Sequence, residues 1–279
     1  MSTASKTVEE VQELAGPPVL NGSTLTMALA DGALHRWTIG EKNTKRGADW
    51  RSPRFGESTR AFLTSLGKDD FLVSDGYRGL SVYNWPANAE PQAKGQPISV
   101  PDRIISTPLA ISTKDGPPRV AVAQANGRVV LLEGDPLLPT PAIRWDMRQM
   151  RHGNEITAGP FLVEDKGQPR ILVVVDRNRL VCLTPEERRE AWVYRCKGDG
   201  IEAKPRVIGD VMILADLSGR FEAIDIATGR PTGGAYPAQA ALPAAPAAAP
   251  IEFGADHLFA PMTDGTVLIV PIDTLLPKK

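Results

Sequence analysis

The sequence predicts an all-β protein, a β-propeller of about six four-stranded blades, with seven as the alternative count. Three observations carry this reading: a hairpin cassette that recurs, a blade-sized period between its copies, and glycine or asparagine at each hairpin corner. The cassette is an apolar strand, a small polar turn and a second apolar strand. Its copies are LTMALADGALHRWTI (25–39), FLVSDGYRGLSVYNW (71–85), VAVAQANGRVVLLEG (120–134), ILVVVDRNRLVCLTP (171–185), MILADLSGRFEAIDI (212–226) and LFAPMTDGTVLIVPI (258–272).

With Gly32, Gly79, Gly127, Asn178, Gly219 and Gly265 taken as equivalent corners, successive steps are 47, 48, 51, 41 and 46 residues. Those steps match the roughly 40–50 residues of one propeller blade. A tight hairpin needs positive φ at its corner, and glycine and asparagine tolerate it best.

A second element precedes most hairpins, a proline entering a short apolar run at Pro17, Pro108, Pro160, Pro205 and Pro250. Proline opens a strand without loss, because the first residue need not donate to the ladder. The second unit, from Thr59, lacks it. A fourth segment follows the hairpin in several units, where Trp50, Trp145 and Trp192 trail their corners by 18, 18 and 14 residues. These tryptophans read as packing residues wedged between neighbouring blades.

Domain boundaries follow from the cassettes. Residues 1–15 form an N-terminal tail or ring-closing segment, and 16–279 the propeller, in units near 16–57, 58–104, 105–155, 156–200, 201–241 and 242–279. Thr7–Ala15 is the free segment for closing the last blade, although Val8, Val11 and Leu14 recur at a helical spacing of three.

Composition bounds the function. With 32 Lys and Arg against 33 Asp and Glu, the net charge of −1 offers no global field toward nucleic acid or an acidic membrane. No apolar run approaches the ~20 residues of a membrane span, and the first residues lack the pattern of a secretory signal. A cytoplasmic location is the expectation, or a periplasmic one if a longer precursor carries a signal. Cys182 and Cys196 sit on one hairpin facing Trp192 and Asn178, too far out of register for a disulfide.

GRFEAIDIATGRPTGG resembles the quinoprotein-like (PQQ-like) β-propeller repeat, whose pattern is Ala-x-Asp-x-x-Thr-Gly-x-x-x-Trp. Ala223, Asp225, Thr228 and Gly229 fall on the motif, and Gly233 stands where the tryptophan belongs. The other units lack the Asp-x-x-Thr-Gly run and keep only strands, turns and glycines. The family is related to WD-repeat-like propellers. Its quinone dehydrogenases are longer and in several cases carry an adjacent cysteine pair, whereas these two cysteines lie 14 positions apart. The resemblance therefore implies a scaffold without cofactor rather than an enzyme.

Candidate functional residues are few. The connector DMRQMRHGNE (146–155) places Arg148, Arg151 and His152 on a loop between two units, and these three are the expected partner-binding residues. Other features have plain explanations. The basic and aromatic segment 41–58, with Lys42, Lys45, Arg46, Arg51, Arg54, Trp50 and Phe55, reads as a solvated loop and outer strand. Glu186, Glu187 and Glu190 decorate a turn, and the Ala-Pro run 235–250 is a crossover. Asp31, Asp75, Asp176, Asp216 and Asp264 recur where aspartate favours turn starts. No catalytic, cofactor or metal residue is expected. The expected function is a non-catalytic scaffold that binds another protein or another domain of a longer parent chain, with no nucleic acid and no membrane span. The alternatives are a degenerate quinoprotein or hydrolase propeller, and a periplasmic assembly-factor-like scaffold.

Overall fold

The computed structural model describes the chain apart from residues 1–13, 31, 41–43, 48–49, 52–60, 68, 87–88, 112–115, 139–142, 238–243, 255 and 277–279. It is all-β, with antiparallel sheets and one short 3-10 turn among the described residues. The chain divides into two compact units, Met1–Ala110 with Gly134–Thr140, and Ile111–Glu133 with Pro141–Lys279.

The first unit holds two sheets. One comprises β1 (Val19–Asn21), β2 (Thr24–Ala28), β3 (Ala33–Ile39) and β4 (Thr44–Arg46), with β5 (Trp50–Arg51) also pairing β3. The other is β6 (Leu63–Ser65), β7 (Asp70–Ser74), β8 (Gly79–Asn84) and β9 (Gln92–Ser99), in chain order. Ala28 and Leu34 of the first sheet share a buried cluster with Leu63, Phe71, Val73 and Tyr83 of the second. Buried Arg36 strengthens that junction. Its Nη1 donates to the carbonyls of Trp85 and Pro86, and its guanidinium lies 5.6 Å from the Phe71 ring centre and 5.2 Å from that of Trp85. Trp50 packs edge-on to Tyr83 at 4.7 Å, the packing role expected of it.

In the second unit the sheets again run in chain order. The third sheet is β10 (Leu109–Ile111, which straddles the boundary), β11 (Arg119–Ala123), β12 (Arg128–Glu133) and β13 (Ile143–Asp146). The fourth is β14 (Ile156–Asp165), β15 (Gln168–Val175), β16 (Arg179–Thr184) and β17 (Arg189–Arg195). The fifth is β18 (Arg206–Ile208), β19 (Val211–Ala215), β20 (Phe221–Asp225) and β21 (Pro231–Tyr236). The sixth is β22 (Ile251–Phe253), β23 (His257–Pro261) and β24 (Val267–Pro271).

The middle strands of the third and fourth sheets, and β19 of the fifth, are apolar and buried on both faces. Along β19, Met212 and Leu214 join a cluster with Leu172, Leu180 and Trp192 of the fourth sheet. Ile213 and Ala215 alternate into a second cluster with Leu258, Ala260 and Val270 of the sixth. The two-residue strand period thus sends one strand into two cores.

Several expectations need correction. At two of the corners the positive φ lies elsewhere: at Gly76 (72°) rather than Gly79, and at Asp176 (47°) and Arg177 (65°) rather than Asn178. Gly79 is required for another reason. A Cβ there would meet the Asp75 carboxylate at 2.4 Å, and that carboxylate accepts the Tyr77 and Gly79 amides. Pro160 does not open its strand but lies inside β14, where the register shifts between Ala158 and Phe161 and Gly159 takes φ of 89°. The sixth sheet has three strands among the described residues, not four. After Pro271, which cannot donate to a ladder, the chain turns into the 3-10 segment Ile272–Thr274 and buries Leu275. Of the segment considered for ring closure, residues 7–13 lie outside the described residues, while Leu14 bridges Leu29 and the Ala15 amide donates to Ala28.

The repeat motif explains how the fourth and fifth sheets lock. Asp225 Oδ1 accepts the Thr228 amide at 2.8 Å and its hydroxyl at 2.6 Å, fixing a turn that puts Gly229 at φ of 69°. Gly229 then lies so close to Trp192 that a Cβ would meet the indole at 2.5 Å. The indole Nε1 donates to Ile226 O at 2.9 Å. At Gly233 the tryptophan's place is taken by the chain itself, since a Cβ there would meet Leu275 O at 1.5 Å. Replacing Trp192 with Ala is expected to cost about 3–5 kcal/mol of stability, through the cavity and the orphaned carbonyl, in urea unfolding. Gly229→Ala, strained and clashing, is expected to cost more than about 1 kcal/mol by the same measurement.

Candidate protein-docking site

The connector between β13 and β14 is a compact turn built on Asp146. Its Oδ1 accepts the Arg148 and Gln149 amides at 3.1 and 3.3 Å, and Oδ2 pairs with Arg128 Nε at 2.8 Å. Its carbonyl accepts the Met150 amide at 2.9 Å, and the Arg151 and His152 amides close onto the carbonyls of Arg148 and Met147. Met147 is fully buried and anchors the loop. Burial opposes charge on Asp146, yet its bonds to Arg128 and the turn amides win and hold the carboxyl below its usual range.

The far side of the connector is pinned to the β15–β16 corner. Asp176 Oδ1 accepts the amides of Asn154 and Glu155 at 3.1 and 3.2 Å, and Arg179 donates to the His152 carbonyl. Gly153 fits because a Cβ would strike the Asp176 carboxylate at 2.2 Å. The His152 imidazole bonds Glu190 of β17 and is only partly exposed. Of the three expected docking residues, Arg148 and Arg151 face solvent, while His152 is a brace holding the loop to the fourth sheet. Arg148 spends its Nε on Asn154 O at 3.3 Å.

The other candidates resolve into structure. Asp75, Asp176, Asp216 and Asp264 each accept backbone amides at or beside a turn, and Asp31 lies outside the described residues. Glu186 and Glu187 pair with Arg119 at 2.5 Å and Arg189 at 2.6 Å. Of the basic and aromatic segment, residues 41–43, 48–49 and 52–58 lie outside the described residues. Among the described residues no group of acidic, histidine and cysteine side chains is arranged to hold a metal, and no helix is long and apolar enough to cross a membrane.

What sequence reading missed is the role of Asp176 in fixing the connector. Its signal was an Asp-Arg pair at a hairpin corner where glycine is the cheaper residue. A separate open groove of about 490 Å³ is lined by β14 and by the entries to β18 and β22, including Glu164, Lys204, Arg206 and Ile251.

Cys182 faces Trp192 across the β16–β17 ladder, and the Cys196 amide donates to Asn178 O, so both cysteines are free as their register demanded. Burial pushes the Cys182 thiol up to about 12. Burial, aided by the Asp216 carboxylate 3.7 Å away, pushes Cys196 up to about 11.

The family model described as outer membrane protein assembly factor BamB matches residues 125–274, more than half of the chain. No curated protein matches the sequence. Among solved structures, Sqt1 of Saccharomyces cerevisiae superposes with TM-score 0.73 at 11% identity, covering 92% of this chain and 70% of its own. BamB of Moraxella catarrhalis gives 0.67 at 15%, covering 97% and 74%. The computationally designed Ika8 protein gives 0.61 at 15%, covering 91% and 70%. At such identities the likeness concerns fold, and that fold is the β-propeller.

Two outcomes follow from the site's chemistry. With both thiols protonated well above neutral pH, neither cysteine is expected to take up iodoacetamide at pH 8 in the native protein, and both in urea, as read by mass spectrometry. Asp146→Asn is expected to lower stability by about 1–3 kcal/mol at pH 7. Because the native carboxyl titrates below its unfolded value, this gap is complete above about pH 4 and closes as pH falls through the lower native value.

Proposed function

Since the chain belongs to the PQQ-like repeat family of the outer membrane protein assembly factor BamB, we propose that it is a non-catalytic scaffold that docks another protein through the β13–β14 connector. The observation that carries this reading is a loop held rigid from both sides with Arg148 and Arg151 left toward solvent. A preorganised loop loses little entropy on binding, which is what a docking platform requires. His152 serves the site by bracing it against Glu190.

The partner is another protein, or another domain of a longer parent chain, rather than nucleic acid. The assembly role printed for the family supports the first. The working location is the cytoplasm unless the gene encodes an export signal ahead of this segment, and cell fractionation with the intact gene decides between the two.

The test uses the full chain as bait, identifies the captured protein, and repeats the capture with Arg148→Glu/Arg151→Glu. Capture is expected to fall at least about tenfold with an unchanged melting temperature, because the substitutions reverse charge at an exposed rim. Undiminished capture removes the connector from the binding surface.

A further inference from the structure

Arg151 and Arg177 stand at φ of 61° and 65°, a region in which a residue with a Cβ is strained and glycine is not. The hairpin corners of the third, fifth and sixth sheets use Gly127, Gly219 and Gly265 for that conformation. Two arginines therefore occupy positions where glycine is favoured, and they lie on adjoining loops. The Asp176 carboxylate bonds Asn154 and Glu155, and Arg179 bonds the His152 carbonyl, so the connector and the corner move as one piece.

Neither guanidinium repays its backbone strain with a contact. Among the described residues, Arg151 and Arg177 have no side-chain hydrogen bond or ion pair, and both are exposed. Three of the nearby carboxylates are already engaged: Asp146 by Arg128, Asp176 by the connector amides and Arg179, and Glu190 by His152. Two exposed carboxylates here are unspent, Glu155 and Asp199, the latter beside Gly200, where a Cβ would meet Arg177 at 3.0 Å; three exposed arginines, Arg148, Arg151 and Arg177, stand against them. The backbone at both positions is used: the Arg177 amide donates to Thr157 Oγ1 at 3.1 Å and its carbonyl accepts the Ile201 amide at 2.7 Å, while the Arg151 amide donates to Arg148 O at 3.1 Å. Both guanidinium groups stay unspent on adjoining loops and open to an external ligand.

We infer that Arg148, Arg151 and Arg177 form one cationic ridge that grips an acidic segment of the docked protein. Guanidinium groups suit carboxylates because their planar donors match two oxygens at once. The inference rests on the docking reading above, to which it adds Arg177 and the chemistry of the partner.

The test measures binding of a short peptide alternating glutamate and serine to the full chain, beside its lysine counterpart, single-stranded DNA and anionic vesicles. The acidic peptide is expected to bind in preference to all three. Arg151→Gly and Arg177→Gly are each expected to weaken it at least about threefold, and the double variant at least about tenfold. Both variants are expected to melt no lower than the parent, because glycine relieves the positive φ. Variants that melt lower would show the arginines to be structural and overturn the inference. Peptide affinity unchanged in the double variant overturns it too, as does tighter binding of DNA or vesicles. If the peptide fails while capture of the protein partner still depends on Arg148 and Arg151, the docking reading stands and only the acidic chemistry falls.

Discussion

The third to fifth sheets depend on strands that are apolar on both faces and so must be covered on both. β19 shows the constraint: its alternate residues, Met212 and Leu214 against Ile213 and Ala215, enter separate cores shared with the fourth and sixth sheets. Such a sheet is unstable by itself, since water on either face would expose a continuous hydrophobic stripe. Stacking sheets of like design is the solution, and the cassette recurs because each of these sheets faces the same requirement. In the sixth sheet, Ile251, Phe253, Val267 and Ile269 are each more than half exposed, and Phe253 stacks on Phe259 with ring centres 4.1 Å apart.

Once the faces meet, small residues set the distance between sheets. Gly229 accepts the flat of Trp192, and the Asp225–Thr228 bonds hold it there. The same turn position in the fourth sheet holds Arg188, also at positive φ (56°), so the backbone shape persists where the glycine does not. Where the tryptophan is missing, at Gly233, the space is filled by the backbone at Leu275. The motif and its erosion thus serve one end, a filled gap beside a tight turn.

Much of this was legible in advance. The corners at Gly32, Gly127, Gly219 and Gly265 have positive φ as read, because steric exclusion acts within a single residue and leaves its mark on residue choice. Trp192 was recognisable as a packing residue by its spacing from the turn. The corner at Asp176–Arg177 was misplaced by one or two positions, because strained non-glycine residues carry no local signature. Pro160 sits in a bulge rather than at a strand start, and a bulge depends on the partner strand, which a single segment does not reveal.

The docking residues divide in the same way. Arg148 and Arg151 were visible as a cationic loop between units, yet nothing local distinguished them from His152, which the fold turns inward against Glu190. Sequence by itself determined the repeating all-β plan, since strand period and turn sterics operate over a few neighbouring residues. Only the tertiary structure decided which side chains on the connector brace it and which stay free. That outcome depends on Asp176 and Arg179, more than twenty residues away, closing on the loop once the fourth sheet has formed.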